Sequence, residues 1–115
     1  MLAALALRAA PDDPLSALSV TEHPEPVPPD GWEVVRIRAA SLNHHDLWTL
    51  RGVGVHRLPI VLGCDGAGVT ADGREVVVHS VVGEPSLYGD ETLDPGMSLL
   101  SERHDGTLAS LVAVP

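Results

Sequence analysis

The stretch Val34-Val35-Arg36-Ile37-Arg38-Ala39-Ala40-Ser41-Leu42-Asn43-His44-His45-Asp46-Leu47-Trp48-Thr49-Leu50-Arg51-Gly52 changes its period halfway along. From Val35 to Ala39 apolar and polar side chains alternate, the signature of a strand with one wet face. After Ser41 the pattern becomes helical. Ser41 or Asn43 can cap, Leu47, Leu50 and Trp48 can share a face, and Gly52 can end the turn. A strand that runs into one or two helical turns is therefore expected, with a dense polar cluster at the junction.

Toward the N-terminus, Leu2 to Arg8 reads as a first strand, and Ala10-Pro11-Asp12-Asp13-Pro14 supplies turn chemistry before a second strand at Leu18, Val20 and Glu22. The two should form a hairpin. Four prolines between His23 and Gly31 remove backbone donors and favour an extended surface connection, or a ligand for a proline-recognising partner. Toward the C-terminus, Gly52 to Arg57 is a loop that leads to Leu58-Pro59-Ile60-Val61-Leu62. Three glycines at Gly63, Gly66 and Gly68 mark close backbone approach or positive φ. Ala71-Asp72-Gly73 makes a turn, and Arg74 to Ser80, with its Val76-Val77-Val78 run, reads as a strand buried on both faces. Val81 to Asp105 has no regular pattern and reads as a long loop. Gly106 to Val114 is a final strand. Many short strands, turns and one or two short helices predict a mainly β, partly open barrel.

Composition narrows the function classes. The 115 residues suit one domain, and 44% hydrophobic content with only Trp32, Trp48 and Tyr88 as aromatics predicts an aliphatic core. A formal charge of −9, with seven arginines and no lysine, argues against nucleic-acid binding. The missing lysine also excludes a lysine Schiff base or general base. Arginine without lysine, beside abundant Ala, Gly, Val and Pro, suits a GC-rich bacterial genome. The single Cys64 excludes an internal disulfide framework and predicts a cytoplasmic location. The opening MLAALALRAAP lacks a basic n-region, and no apolar run approaches the ~20 residues that cross a bilayer, so no membrane association is expected.

Two clusters could carry chemistry. Asn43, His44, His45 and Asp46 offer imidazoles that exchange protons near neutral pH and a carboxylate that can fix a tautomer. The same residues can simply cap the helix. Cys64 and Asp65 are both legitimate zinc ligands, and His44, His45, His56 and His79 could complete a tetrahedron if the fold converged them. Cys64 beside glycines is also a good small hydrophobe. Gly63-x-x-Gly66-x-Gly68 runs opposite to the dinucleotide fingerprint G-x-G-x-x-G, and no helix pattern follows it. No phosphate-binding loop is visible.

The order of VVRIRAASLNHHDLWTLRG, LPIVLGCDGAGV, REVVVHS and DGTLASLVAVP resembles the N-terminal, GroES-like domain of the medium-chain, zinc-type alcohol dehydrogenases and quinone oxidoreductases. The resemblance implies a GroES-like β-barrel over residues 1–115 that forms a cleft with a Rossmann domain not contained in them. It also implies hydride transfer between NAD(P)H and an alcohol, aldehyde, ketone, quinone or enone. In zinc-containing relatives the position of Asn43 holds a cysteine ligand, that of Cys64 a histidine and that of Asp65 a glutamate. His45 falls where they carry a hydroxyl proton relay, and Asp46 matches an aspartate behind the metal.

Both ligand positions differ here, and Asn43 is a poor zinc ligand. The departure predicts a zinc-independent branch closer to the quinone and enone reductases, with no metal ligands assigned. There Asn43 and Asp46 would border the nicotinamide and substrate pocket, and His45 would donate a proton. Residues 81–105 also lack the cysteines that hold a structural zinc in some relatives, and the Val69–Arg74 connection is shorter than usual. Tight NADP or NAD binding is not expected without the Rossmann domain, supplied in cis or in trans. The ending Val-Ala-Val-Pro fits a continuation into that domain, and an uncovered apolar face would favour a homo-oligomer. The competing reading is a freestanding, non-catalytic GroES-like module that binds a protein partner through the Val81–Asp105 loop or the proline run.

Overall fold

The computed structural model describes Met1–Pro115. Strands β1 (Leu2–Ala6) and β2 (Leu18–Glu22) form the expected hairpin, with Leu2 opposite Glu22 and Ala6 opposite Leu18. A 3-10 turn at Pro14–Ala17 makes the reversal, started by a proline whose fixed φ suits a first helical position. Strand β3 (Glu33–Ala40) precedes helix α1 (His44–Arg51), and β4 (Ile60–Val61) then pairs antiparallel with β1. Strand β5 (Gly66–Thr70) pairs with β3 on one side and with β6 (Glu75–Val78) on the other. A two-stranded ribbon, β7 (Val81–Val82) with β8 (Ser98–Leu99), encloses the single-turn helix α2 (Pro85–Tyr88), and β9 (Leu111–Val114) closes the four-stranded sheet β6-β5-β3-β9.

The β2-β1-β4 sheet and the four-stranded sheet meet along the last ten residues. Ala4 N–H donates to the Leu108 carbonyl and Ser110 N–H to that of Leu2, while Ile37 N–H donates to Ser110 from the other sheet. That seam curls the sheets into a partly open, GroES-like barrel with few helices. Gly68 lies where the sheet curves: a Cβ there would collide with the Arg36 carbonyl oxygen, so only glycine lets β5 run this close to β3.

The aliphatic core divides in three, the smallest part being Ala3, Leu5 and Val61 where β1 meets β4. Ala6, Ala10, Ala17, Leu50, Ile60 and Leu62 pack beneath α1, and Val35, Val78, Leu100 and Val112 fill the space between the four-stranded sheet and the ribbon. Helix α1 ends at Gly52 in the left-handed region, φ 88°, as the sequence predicts. Four expectations need correction. Trp48 stays about half exposed, because at one residue past Leu47 it turns off the buried face. Val77 is 84% exposed while Val78 is buried, so β6 alternates as an edge strand rather than burying both faces. The patternless 81–105 segment contains the ribbon and α2, whose strands of two residues are too short to show a period. The final strand begins at Leu111, since residues 106–110 bend from one sheet to the other. No helix is long and apolar enough to cross a membrane.

Candidate functional site

Strand β3 delivers the chain to the mouth of the barrel, and Asn43, with extended backbone at φ −127° and ψ 158°, begins α1. The Asp46 carboxylate reaches back to this start: Oδ2 accepts from Asn43 N–H at 2.8 Å and Oδ1 from Gly63 N–H at 2.9 Å. At 5% exposure both acceptors are committed to backbone donors from two separate segments. These charge-assisted bonds pin the helix to the connection between β4 and β5. Gly63 can take part because its φ is 99°, and a Cβ there would stand 2.7 Å from Thr107 Oγ1 and from Leu108 N. Thr107 Oγ1 in turn donates to the Asp65 carbonyl at 2.7 Å.

Above this buried clamp lies an exposed polar rim. Asp65 Oδ2 accepts from Asn43 Nδ2 at 2.8 Å and from Ser41 Oγ at 3.1 Å. Asn43, not Ser41, occupies the cap position, and Ser41 serves the rim. Beside the rim is a cavity of about 580 Å³, whose wall is formed largely by Leu15, Leu18, Val20, Leu42 and Leu47, with Asn43 and Asp46 also lining it. An apolar cavity with a few polar groups at its wall is the usual form of a small-molecule site.

His45 lies on the inner side. Its Nε2 is 3.1 Å from Glu102 Oε1 and its Nδ1 3.3 Å from Cys64 Sγ. Burial, and then the negative charges of Asp46, Asp65 and Glu102, push the Cys64 thiol from 9.0 up to about 12. Cys64 is therefore a neutral thiol at physiological pH, with the Leu100 carbonyl as a second hydrogen-bond acceptor at 3.3 Å. The other histidines do not converge on it: His44 sits edge-on to Trp48 at 5.5 Å, and His79 bonds Glu91 at 2.6 Å.

These donors do not suit zinc. Asn43 could offer only a weakly ligating amide oxygen, and no three His, Cys, Asp or Glu side chains are grouped to hold a metal ion. The first-turn N–H of Asp46 donates to the Asn43 carbonyl at 3.0 Å.

Glu102 is the site residue that the sequence did not disclose. It lies in the stretch without a pattern, and the only signal was the apolar pair Leu99-Leu100 just before an acid in an otherwise polar run.

A partly open β barrel with a two-turn helix at its mouth and a polar rim beside an apolar cavity defines the GroES-like class of domain. The chain belongs to the alcohol dehydrogenase GroES-like domain family, whose model matches residues 29–115. Among solved structures it is similar to an NAD-dependent alcohol dehydrogenase, 33% identical with a TM-score of 0.85, over 100% of this chain and 37% of that one. A cobalt- and zinc-bound thermostable alcohol dehydrogenase from Pyrobaculum aerophilum shares the fold at 23% identity and TM-score 0.84, over 100% of this chain and 39% of its own. So does a crotonyl-CoA carboxylase/reductase at 24% and 0.84, over 99% and 32%. The chain thus spans about 37% of the length of the first of these. No curated protein sequence matches it.

Proposed function

We propose that these residues are the substrate-binding and catalytic portion of a zinc-independent, NAD(P)H-dependent oxidoreductase acting on a carbonyl, quinone or enone. A nucleotide-binding domain, in cis or in trans, would complete the site. The observation that carries this reading is the Ser41, Asn43 and Asp65 rim beside an apolar cavity, in a domain of the alcohol dehydrogenase family. The family match favours an enzyme part over a freestanding interaction module.

When bound, the nicotinamide supplies the hydride. The chain's own residues would then bind, orient and protonate. The cavity wall takes the apolar body of the substrate and excludes water from it. Asn43, held by Asp65, presents its amide at the cavity edge to orient a polar group, and Asp46 keeps Asn43 and Gly63 in place through their backbone N–H groups. His45, which stands outside the cavity lining with Nδ1 facing Cys64, would supply the proton needed at the reduced oxygen or carbon through an intervening relay rather than by direct contact.

The test is a chimaera that joins this chain to the nucleotide-binding domain of the 33%-identical alcohol dehydrogenase. NAD(P)H oxidation would be followed against quinones, enones, aldehydes and ketones with a metal chelator present. The reading expects turnover under chelation and a loss of about tenfold to a hundredfold on Asn43→Ala. Turnover that a chelator abolishes and zinc restores would contradict zinc independence. A folded, cofactor-saturated chimaera inert toward the whole panel would contradict the enzyme reading.

A further inference from the structure

The geometry points to Glu102 as the positioning residue that fixes the tautomer of His45, so that Nε2 carries the hydrogen and Nδ1 faces the Cys64 thiol. This inference rests on the proton-donor role proposed for His45, and it deepens that role by naming the group that stands behind the imidazole.

The two oxygens of Glu102 have different tasks. Oε2 accepts from Leu99 N–H at 2.8 Å, which locks the carboxylate onto its own turn, and Oε1 faces His45 Nε2 at 3.1 Å. An ionised carboxylate only accepts, so the hydrogen must lie on Nε2. In the neutral ring the lone pair then sits on Nδ1, 3.3 Å from Cys64 Sγ, and a thiol can donate to it weakly. The side chains of His45 and Glu102 keep only 14% and 19% of their surfaces exposed, so water competes little for this contact.

The turn that carries Glu102 is itself held from several sides. Ser101 N–H donates to the His104 carbonyl at 2.8 Å, and His56 N–H donates to the Glu102 carbonyl at 2.9 Å. Thr49 Oγ1, on α1 one turn beyond His45, donates to the Ser101 carbonyl at 3.4 Å. Helix and turn are therefore tied to each other independently of the His45–Glu102 contact. His44 provides the contrast: it is exposed, rests against Trp48 and has no carboxylate within bonding distance.

Cys64 makes the arrangement reversible. Its hydrogen has two acceptors at equal distance, His45 Nδ1 and the Leu100 carbonyl, both 3.3 Å away. With the thiol turned to Leu100, Nδ1 can take up a proton and donate it toward sulfur, while Nε2–H remains on Glu102. The imidazole then gains and loses a proton at Nδ1 without breaking its bond to the carboxylate.

The test reads the tautomer directly, from the ring-nitrogen chemical shifts of His45 in the 15N-labelled 115-residue chain, without cofactor or substrate. The wild type should show one neutral tautomer, with hydrogen on Nε2. Glu102→Gln has a single oxygen for two donors. If Leu99 N–H keeps that oxygen, the amide nitrogen faces Nε2 and the ring hydrogen should move to Nδ1. Glu102→Asp, which retains two acceptor oxygens and no donor, should restore the Nε2–H form. A wild type with hydrogen on Nδ1, or a folded Glu102→Gln chain whose Leu99 N–H still bonds the side-chain oxygen and whose ring shifts are unchanged, would overturn the inference. If Glu102→Gln fails to fold, the wild-type and Glu102→Asp spectra still decide, since either showing Nδ1–H contradicts it. The functional reading fails separately: full turnover by a chimaera carrying His45→Gln would remove the proton-donor role and leave the tautomer result standing.

Discussion

Two regions of this molecule use the same device, a carboxylate that accepts backbone N–H groups, and obtain different rigidity from it. At the foot of α1, Asp46 is buried and bonds Asn43 and Gly63, which lie on different segments of the barrel. In the lobe between β7 and β8, Asp94 bonds Glu84 and Gly96, and Asp90 bonds Thr92, all in contact with solvent. Leu87 and Leu93 remain 74% and 67% exposed there, so no apolar burial supports the lobe. Where water can replace the bond the net gain is small, and where it cannot, losing the acceptor strands two donors. The difference places a rigid site on α1 and leaves the lobe free to deform.

Exchanging the acceptors tests the contrast most strongly. Asp46→Ala should lower unfolding free energy by roughly 2 to 4 kcal/mol in urea denaturation, because the buried Gly63 N–H and the part-buried Asn43 N–H lose their shared carboxylate. A loss below about 1 kcal/mol would show that the clamp is dispensable. The second effect is a pH limb. The Cys64 thiol is raised from 9.0 to about 12 in the folded chain, so the native state holds its proton more tightly than the unfolded one. That contribution is complete below pH 9 and is lost as pH rises from 9 through 12. A Cys64→Ala chain should therefore lose less stability across that window than the wild type, and the native thiol should resist alkylation at neutral pH.

Ser101 lies between the two regions and is strained. Its φ is 69° and its buried hydroxyl has no partner. Ser101→Gly should stabilise the chain by about 1 kcal/mol, seen as a higher melting temperature, since glycine adopts this backbone freely and leaves no orphaned hydroxyl. The smallest effect belongs to the lobe. Asp94→Ala should cost under about 1 kcal/mol globally while amide exchange quickens within residues 83–97 alone. Quickened exchange that spread to α1 would break the distinction between the regions.

What the sequence disclosed follows the same division. The change of period at Ser41, the stop at Gly52 and the glycines at 63 to 68 were legible because each is a local rule acting over a few residues. Asn43, His45, Asp46 and Cys64 stand out as candidates for the same reason. Their roles could not be assigned, since Asp46 is defined by a donor 17 residues away and His45 by an acceptor 57 residues away. Glu102 stayed hidden because it lies on a turn after a ribbon whose strands are two residues long, too short for any alternation to register. The Val76–Val78 run misled because β-branched residues suit an exposed edge as well as a buried strand.

The central claim is that this domain supplies the substrate side of an oxidoreductase site and needs a second domain for the nucleotide. Isothermal titration of the purified 115-residue chain with NADPH and NADH, on a sample first analysed for metal, tests it most directly. The account predicts no binding in the micromolar range and no stoichiometric zinc. Micromolar affinity for either nucleotide, or one zinc per chain, would contradict it.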